Sequence, residues 1–177
     1  IVIYDNGSES NVVEDVKEFL ERGVKWVGAD KNHSFIWNFN RALEGSCTQY
    51  TLLLHDDDLL CENFLESQVN LLTENSALVA VSCNGYLIDE NGKRTGGSLT
   101  TVGQSELLEQ YSCSGQVAVK YASNSCIPFS PTVYNTKVAR SVNFREDFGK
   151  VCDAVYFCDL AEIFSKGFFC LYNFFKV

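Results

Sequence analysis

Residues Tyr50–Leu60 read YTLLLHDDDLL, and they decide how the rest of the chain is read. The apolar run from Thr51 to Leu54 stops abruptly at His55 and three consecutive carboxylates, Asp56, Asp57 and Asp58. A short apolar run bounded by polar residues predicts a buried central strand. Folding alone gives little reason for three adjacent acids at its end, because like charges at that spacing repel and raise one another's pKa unless a cation is present. A hard divalent ion held by carboxylate oxygens, its shell completed by ligand phosphates, resolves the conflict. In open α/β sheets ligands bind at the carboxyl ends of strands, where these acids fall. The competing reading is a solvated acidic loop, with Asp58 or Glu62 near the N-terminus of the next helix.

The flanking sequence predicts alternating strands and helices. Ile1 to Tyr4 reads as a buried strand closed by the turn Asp5-Asn6-Gly7-Ser8. A helix capped by Ser8 or Ser10 and running to about Arg22 carries Val12, Val13, Val16, Phe19 and Leu20 at helical spacing, and Gly23 stops it. Val24 to Gly28 is a second strand, Ser34 to Leu43 a helix, Glu62 to Glu74 another helix, and Ala77 to Cys83 a further buried strand. That order indicates a parallel sheet with right-handed crossovers. Beyond Asn84 the pattern changes to a hairpin around Glu90-Asn91-Gly92, a short helix from Gln104 to Tyr111, and an irregular stretch from Gly115 to Pro131. One or two helical turns at Asn135 to Arg140, a helix from about Val151 to Phe164 and an aromatic tail strand complete the chain. Trp26 and Trp37 are expected in the core.

The chain has 177 residues, 46% apolar and 21% charged, which suits one globular domain. A net charge of −9 argues against an electrostatic nucleic-acid binder, since no basic stretch can follow a phosphate backbone. Eight cysteines contain no C-x-x-C pair; they are expected to be reduced, mostly buried thiols of a cytoplasmic protein. No signal peptide opens the chain, and no run reaches the ~18 apolar residues of a membrane span. The absence of methionine and the immediate entry into a strand lead us to expect a fragment.

Four stretches together resemble the family 2 glycosyltransferases, which have the GT-A nucleotide-sugar-binding fold. IVIYDNGSES resembles the family's strand ending in Asp-Asp/Asn-Gly-Ser, and NHSFIWNFNRA (32–42) the asparagine-punctuated loop and helix before the metal motif. YTLLLHDDDLLCENFL resembles the DxD strand and the helix after it, and FGKVCDAVYFCDLAEIF the C-terminal helix with an acid before an aromatic pair. The resemblance implies an α/β fold, a Rossmann-like, mostly parallel sheet flanked by helices. It implies one domain over residues 1–177, nucleotide-binding in 1–84 and acceptor-binding and catalytic in 85–177, without the family's first strand and helix. His55 stands where the family's first DxD aspartate is usual.

By the same resemblance Asp5 and Asn6 meet the nucleotide base, Asp56 the ribose or metal-bound water, and Asp57 ligates Mn²⁺ or Mg²⁺, with Asp58 assisting or capping the next helix. Arg41 or Lys31 would neutralise the diphosphate, His55 would fill space or hydrogen-bond, and Asp153 would be the catalytic base. For Asp5 and Asn6 the plainer role is a turn, and for Asp153 a helix-dipole acid. The implied activity is a metal-dependent, hexosyltransferase-like, inverting transfer from a nucleotide sugar, first of all a UDP-sugar, to a hydroxyl of a saccharide or lipid-linked saccharide acceptor. Its setting would be polysaccharide or glycoconjugate synthesis at the cell surface, with peripheral membrane association through segments outside this chain. The alternatives are a nucleotidyltransferase of similar fold and a non-catalytic nucleotide-binding fragment.

Overall fold

The computed structural model describes residues 1–9, 12–100, 108–123, 125–164 and 168–171. Strands β1 (Val2–Asp5) and β2 (Lys25–Gly28) pair in parallel, with Asp5 opposite Gly28. The single helix expected between them is two short ones, α1 (Val12–Asp15) and α2 (Lys17–Glu21), joined at Val16. Neither helix buries a residue, and Val13 and Phe19 stay exposed. Valines at 12, 13 and 16 are weak helix formers, and without a packing partner their stripe does not sustain a long helix. β1, expected to be buried, is only half-buried, and Val2 is exposed.

Helix α3 (Phe35–Gly45) starts at Ser34, whose hydroxyl accepts the Trp37 N–H, and buries Ile36, Ala42 and Leu43. It is followed by β3 (Tyr50–Leu52), α4 (Phe64–Glu74) and the fully buried β4 (Ala80–Cys83). The hairpin expected around Gly92 is present as β5 (Tyr86–Ile88) and β6 (Arg94–Ser98). The remaining elements are β7 (Leu108–Tyr111), α5 (Ser114–Ala122), β8 (Thr132–Asn135), α6 (Thr136–Ala139), a 3₁₀ turn (Glu146–Val151), α7 (Cys152–Ile163) and β9 (Phe168–Leu171).

Three of these correct the sequence reading. Residues 108–111 are a strand rather than part of a helix; residues 104–107 of that expected helix lie outside the described residues. The stretch from Gly115, expected to be irregular, contains α5, and β8 was not expected at all.

The main sheet has the order β3-β8-β4-β9-β7. β4 and β9 are parallel, β8 is antiparallel to both β3 and β4, and β7 is antiparallel to β9. Strands β3, β4 and β9 therefore share the expected common direction, with β8 inserted between the first two. β3 lies at the edge of this sheet rather than at its centre. The interior places beside it go to β8 and β4, and Thr132, Val133 and Tyr134 of β8 are buried on successive faces.

Side-chain alternation sorts the core into two layers. Ala80 and Tyr134 face a cluster with Ile36, Val117, Tyr156, Phe157 and Leu160; Val81 and Val133 face one with Phe64, Leu72 and Leu78. Helices α3, α5 and α7 thus cover one face and α4 the other, the layering of an α/β domain. Trp26 and Trp37 are not in the core: neither is fully buried. Cys47, Cys61, Cys83, Cys113, Cys126, Cys152 and Cys158 are free; of these only Cys83 and Cys152 are buried, while Cys47 and Cys113 are exposed. Among the described residues, no helix is long and apolar enough to cross a membrane.

Candidate functional site

The chain leaves β3 at Leu52, buries Leu53 and exposes Leu54 before the acids. His55 is fixed from two sides. Its backbone N–H donates to Ser130 Oγ at 3.4 Å, and its ring lies parallel to Phe39 at 5.6 Å and against Phe129 at 5.4 Å. The imidazole Nδ1 stands 3.7 Å from Asp58 Oδ2, while its buried Nε2 has no hydrogen-bond partner among the described residues. One donor atom each from His55, Asp57 and Asp58 lie within 4.8 Å of one another. Oxygen ligands at 2.0–2.6 Å from a common cation stand at roughly this separation, so the Asp57 and Asp58 carboxylates of this group could hold a hard divalent ion, with the imidazole beside them. Asp56 is exposed and stands outside the group.

At the end of β1 the polar groups face inward on the fold. The Asp5 carboxylate accepts the backbone N–H groups of Gly7 (3.2 Å) and Ser8 (3.1 Å), an Asx turn. Gly7 has φ +78°, and a Cβ there would lie 2.3 Å from the Lys31 carbonyl carbon, so only glycine lets the two loops meet. Asn6 fastens the second loop: its amide donates to the His33 carbonyl at 2.8 Å, and its oxygen accepts the His33 N–H at 3.2 Å. The Arg41 guanidinium, reaching back from α3, donates to the carbonyls of Asp5 (2.8 Å), Gly28 (3.1 Å) and Val27 (3.2 Å) and to Asn38 Oδ1 (2.7 Å). It also lies over the rings of Trp37 at 4.7 Å and Tyr4 at 5.4 Å. Its donors are directed at the carboxyl ends of β1 and β2. Lys31 is exposed.

Asp153 is the second residue of α7, partly buried, close enough to His55 to feel its charge. Burial pushes its carboxyl above the ordinary aspartate value; the amides of Ala154 and Asp153, the His55 charge and a hydrogen bond from Tyr121 oppose that rise. The neighbouring acids are otherwise engaged. Glu146 accepts the Ser34 hydroxyl, Asp147 lies 3.7 Å from the Arg145 guanidinium, Asp159 lies 3.8 Å from it, and Glu162 accepts the Ser114 hydroxyl at 2.6 Å. Gly149, with φ +52° and ψ −125°, breaks the helical path between Glu146 and Asp147 on one side and α7 on the other, a conformation open to glycine.

Helix α3 joins the two ends of the site. Asn38 donates to the Tyr4 carbonyl at 2.9 Å, and one residue on Phe39 packs on His55. Ser34, which caps α3, holds the turn that leads to Asp153. The fold thus brings His55, Asp57, Asp58 and Asp153 toward one another and sets Asp5, Asn6 and Arg41 at the adjoining strand ends. Tyr121, Phe129 and Ser130 belong to this site but lie in a stretch whose sequence carried no signal for them. Two depressions of about 440 and 470 Å³ border Arg140, one lined by residues 46–49 ahead of β3, and neither contains a residue singled out by the sequence as a site residue.

Comparison with known proteins agrees with this architecture. The family model described as glycosyl transferase family 2 matches residues 1–158. A crystal structure of S. aureus TarS, residues 1–349, is similar with a TM-score of 0.67 at 15% identity, covering 97% of this chain and 48% of that one. The chain therefore spans about half the length of that structure, and the likeness is one of fold. No curated protein matches the chain.

Proposed function

The chain belongs to glycosyl transferase family 2, and from that premise we propose that it moves a sugar from a nucleotide-sugar donor to a hydroxyl acceptor with inversion, using Asp153 as the base. The supporting observation is the pairing of a partly buried Asp153, which has no ion pair among the described residues, with the cluster of His55, Asp57 and Asp58. Asp153 accepts the proton of the acceptor hydroxyl while that oxygen attacks the anomeric carbon from the face opposite the diphosphate. The new carbon–oxygen bond forms as the old one breaks, and its electron pair leaves with the diphosphate. A carboxyl raised by burial is a stronger base than one in water, which suits the task.

Asp57 and Asp58 would hold Mn²⁺ or Mg²⁺, with His55 orienting Asp58. When bound, such an ion supplies positive charge for the departing diphosphate. Asp56, exposed beside them, is left for the ribose. The Asp5 carboxylate accepts two backbone N–H groups and, with about four acceptor positions, retains capacity for a ring N–H of the base. Arg41 takes part by holding the strand ends on which Asp5 sits. A UDP-sugar donor, a saccharide or lipid-linked acceptor and a role in cell-surface glycan synthesis complete the proposal.

The test is release of nucleoside diphosphate from a panel of nucleotide sugars offered with saccharide acceptors. Asp153→Asn is expected to lose about 10²–10⁴-fold in kcat with little change in donor affinity. Asp159→Asn and Glu162→Gln, engaged elsewhere on α7, keep most activity. Near-normal transfer by Asp153→Asn removes the assignment.

A further inference from the structure

The depression of about 440 Å³ at the start of β3 lies at the opposite end of that strand from Asp57 and Asp58. It opens between the turn 46–49, which enters β3, and the segment from Asn135 to Arg140 at the end of β8 and along α6. Its walls are fixed by the fold itself. The Thr136 N–H donates to the Gln49 carbonyl at 3.0 Å, the hydroxyls of Thr136 and Thr51 share a hydrogen bond of 2.7 Å, and the Ser46 hydroxyl donates to the Ala42 carbonyl at 2.8 Å. Arg140 gives one Nη1 donor to the Ser46 carbonyl at 3.2 Å, which pins the guanidinium to the rim and leaves other donors of its fork over.

The groups the fold does not use are all of one kind. Lys137 and Arg140 form no ion pair among the described residues. The backbone N–H groups of Cys47 and Thr48 donate to nothing among the described residues. None of the described lining residues is acidic, in a chain with 23 acidic and 14 basic residues; Glu44 lines only the neighbouring depression, which shares Arg140. Two cations and spare donors without a carboxylate suit a negatively charged, acceptor-rich ligand. The guanidinium fork matches two oxygens of a phosphate, and the ammonium supplies a point charge for a third. A bare phosphate fills only a small part of this volume, which is that of a ligand pocket. The remaining lining, Thr48, Gln49 and Asn135, offers hydroxyl and amide groups and no aromatic ring, which suits a hydroxylated body rather than a base. We propose that this hollow is a second anion site, separate from the donor site, taking the phosphate monoester of a small hydroxylated molecule through Arg140 and Lys137.

Cys47 is exposed in the wall of the hollow, so its thiol reports occupancy directly. The full chain, in a metal-free amine buffer, is alkylated with iodoacetamide, and the rate at each cysteine is read by mass spectrometry. Glucose 6-phosphate is the probe, set against glucose at equal concentration and sodium chloride at equal ionic strength. Alkylation of Cys47 is expected to slow about tenfold at ten times the Kd of the sugar phosphate, by simple mass action. Cys113, exposed at the start of α5, keeps its rate, and glucose and the salt leave Cys47 unchanged. Arg140→Gln is expected to remove the protection. Lys137→Gln, whose ammonium has no hydrogen bond or ion pair among the described residues, raises the Kd about three- to tenfold and keeps the test open should the Arg140 variant fail to fold. Absent protection, equal slowing of Cys113, protection by the salt, or an unaltered Kd in Lys137→Gln each overturns the proposal. Equal protection by inorganic phosphate overturns the monoester as its ligand. The experiment needs neither metal nor sugar donor, so its outcome does not depend on Asp153.

Discussion

The carboxyl ends of β1 and β3 are both crowded with polar side chains, but they use them in opposite ways. At β1 the hydrogen-bonding groups of Asp5, Asn6 and Arg41 are directed at the protein's own backbone. At β3 the Asp56 and Asp57 carboxylates have no hydrogen bond from the described residues, and Asp58 has only a 3.7 Å approach to His55. A group that satisfies backbone contributes to folding; like charges left in one place without partners contribute nothing to it and are held there against their repulsion. The first region is scaffold that a ligand can use in passing, and the second is free to bind.

If that division holds, the largest loss of stability comes from Arg41→Ala. It removes four hydrogen bonds and the packing over Trp37 and Tyr4, and takes the guanidinium donor away from the carbonyls of Asp5, Val27 and Gly28. Destabilisation of about 3 kcal/mol, on the order of 10 °C in melting midpoint, is expected by thermal or urea unfolding. A loss below about 0.5 kcal/mol breaks the contrast, because Arg41 would then be as dispensable to folding as a surface charge.

Asp57→Asn should do the reverse. Its stability is expected to stay within about 0.5 kcal/mol of the parent, since the carboxylate supports nothing in the fold. Calorimetry with UDP should show tighter binding with Mn²⁺ than with chelator in the parent, by about tenfold or more, and no difference in the variant. Equal affinity with and without the metal in the parent would remove the metal assignment and return the acids to a solvated loop.

These contrasts mark what was legible in the sequence. The acids, the hairpin, the Asp5 turn and α7 were readable because their signals are local: turn formers, helical spacing, an apolar run that stops. β8 was not, because its apolar part, Thr132 to Tyr134, is three residues long and directly follows Pro131. It is a strand because its neighbours β3 and β4 pair with it. β7 contains Leu, Glu and Gln, good helix formers, yet pairing with β9 outweighs that preference. In α5 only Val117 is buried, so no stripe announces the helix, and Tyr121 with it. For the site, residue types pointed to Asp57, Asp58 and Asp153, but their partners could not be read. That His55 joins the acid group depends on Phe39 and Phe129 packing against its ring. That Arg41 turns to carbonyls depends on where β1 and β2 end.

The smallest predicted effect concerns Asp153, which belongs to the free region yet is partly buried. Burial raises its folded-state pKa above the ordinary value of 3.8, so the folded chain holds this proton more tightly than the unfolded one. Between those two values, folded molecules carry more protons, and stability falls as pH rises through the window. Above the raised value the loss is complete; below 3.8 it is absent. Asp153→Asn removes the charge and keeps the shape, so it should melt above the parent at pH 7, by about 1–2 °C once partial exposure is allowed for. The gain should shrink toward zero as pH falls through the window. A variant that loses transfer while gaining stability is the pattern of a residue kept for chemistry at the fold's expense. If Asp153→Asn instead melts lower than the parent at pH 7, Asp153 supports the fold as Arg41 does, and the line between the two regions falls elsewhere.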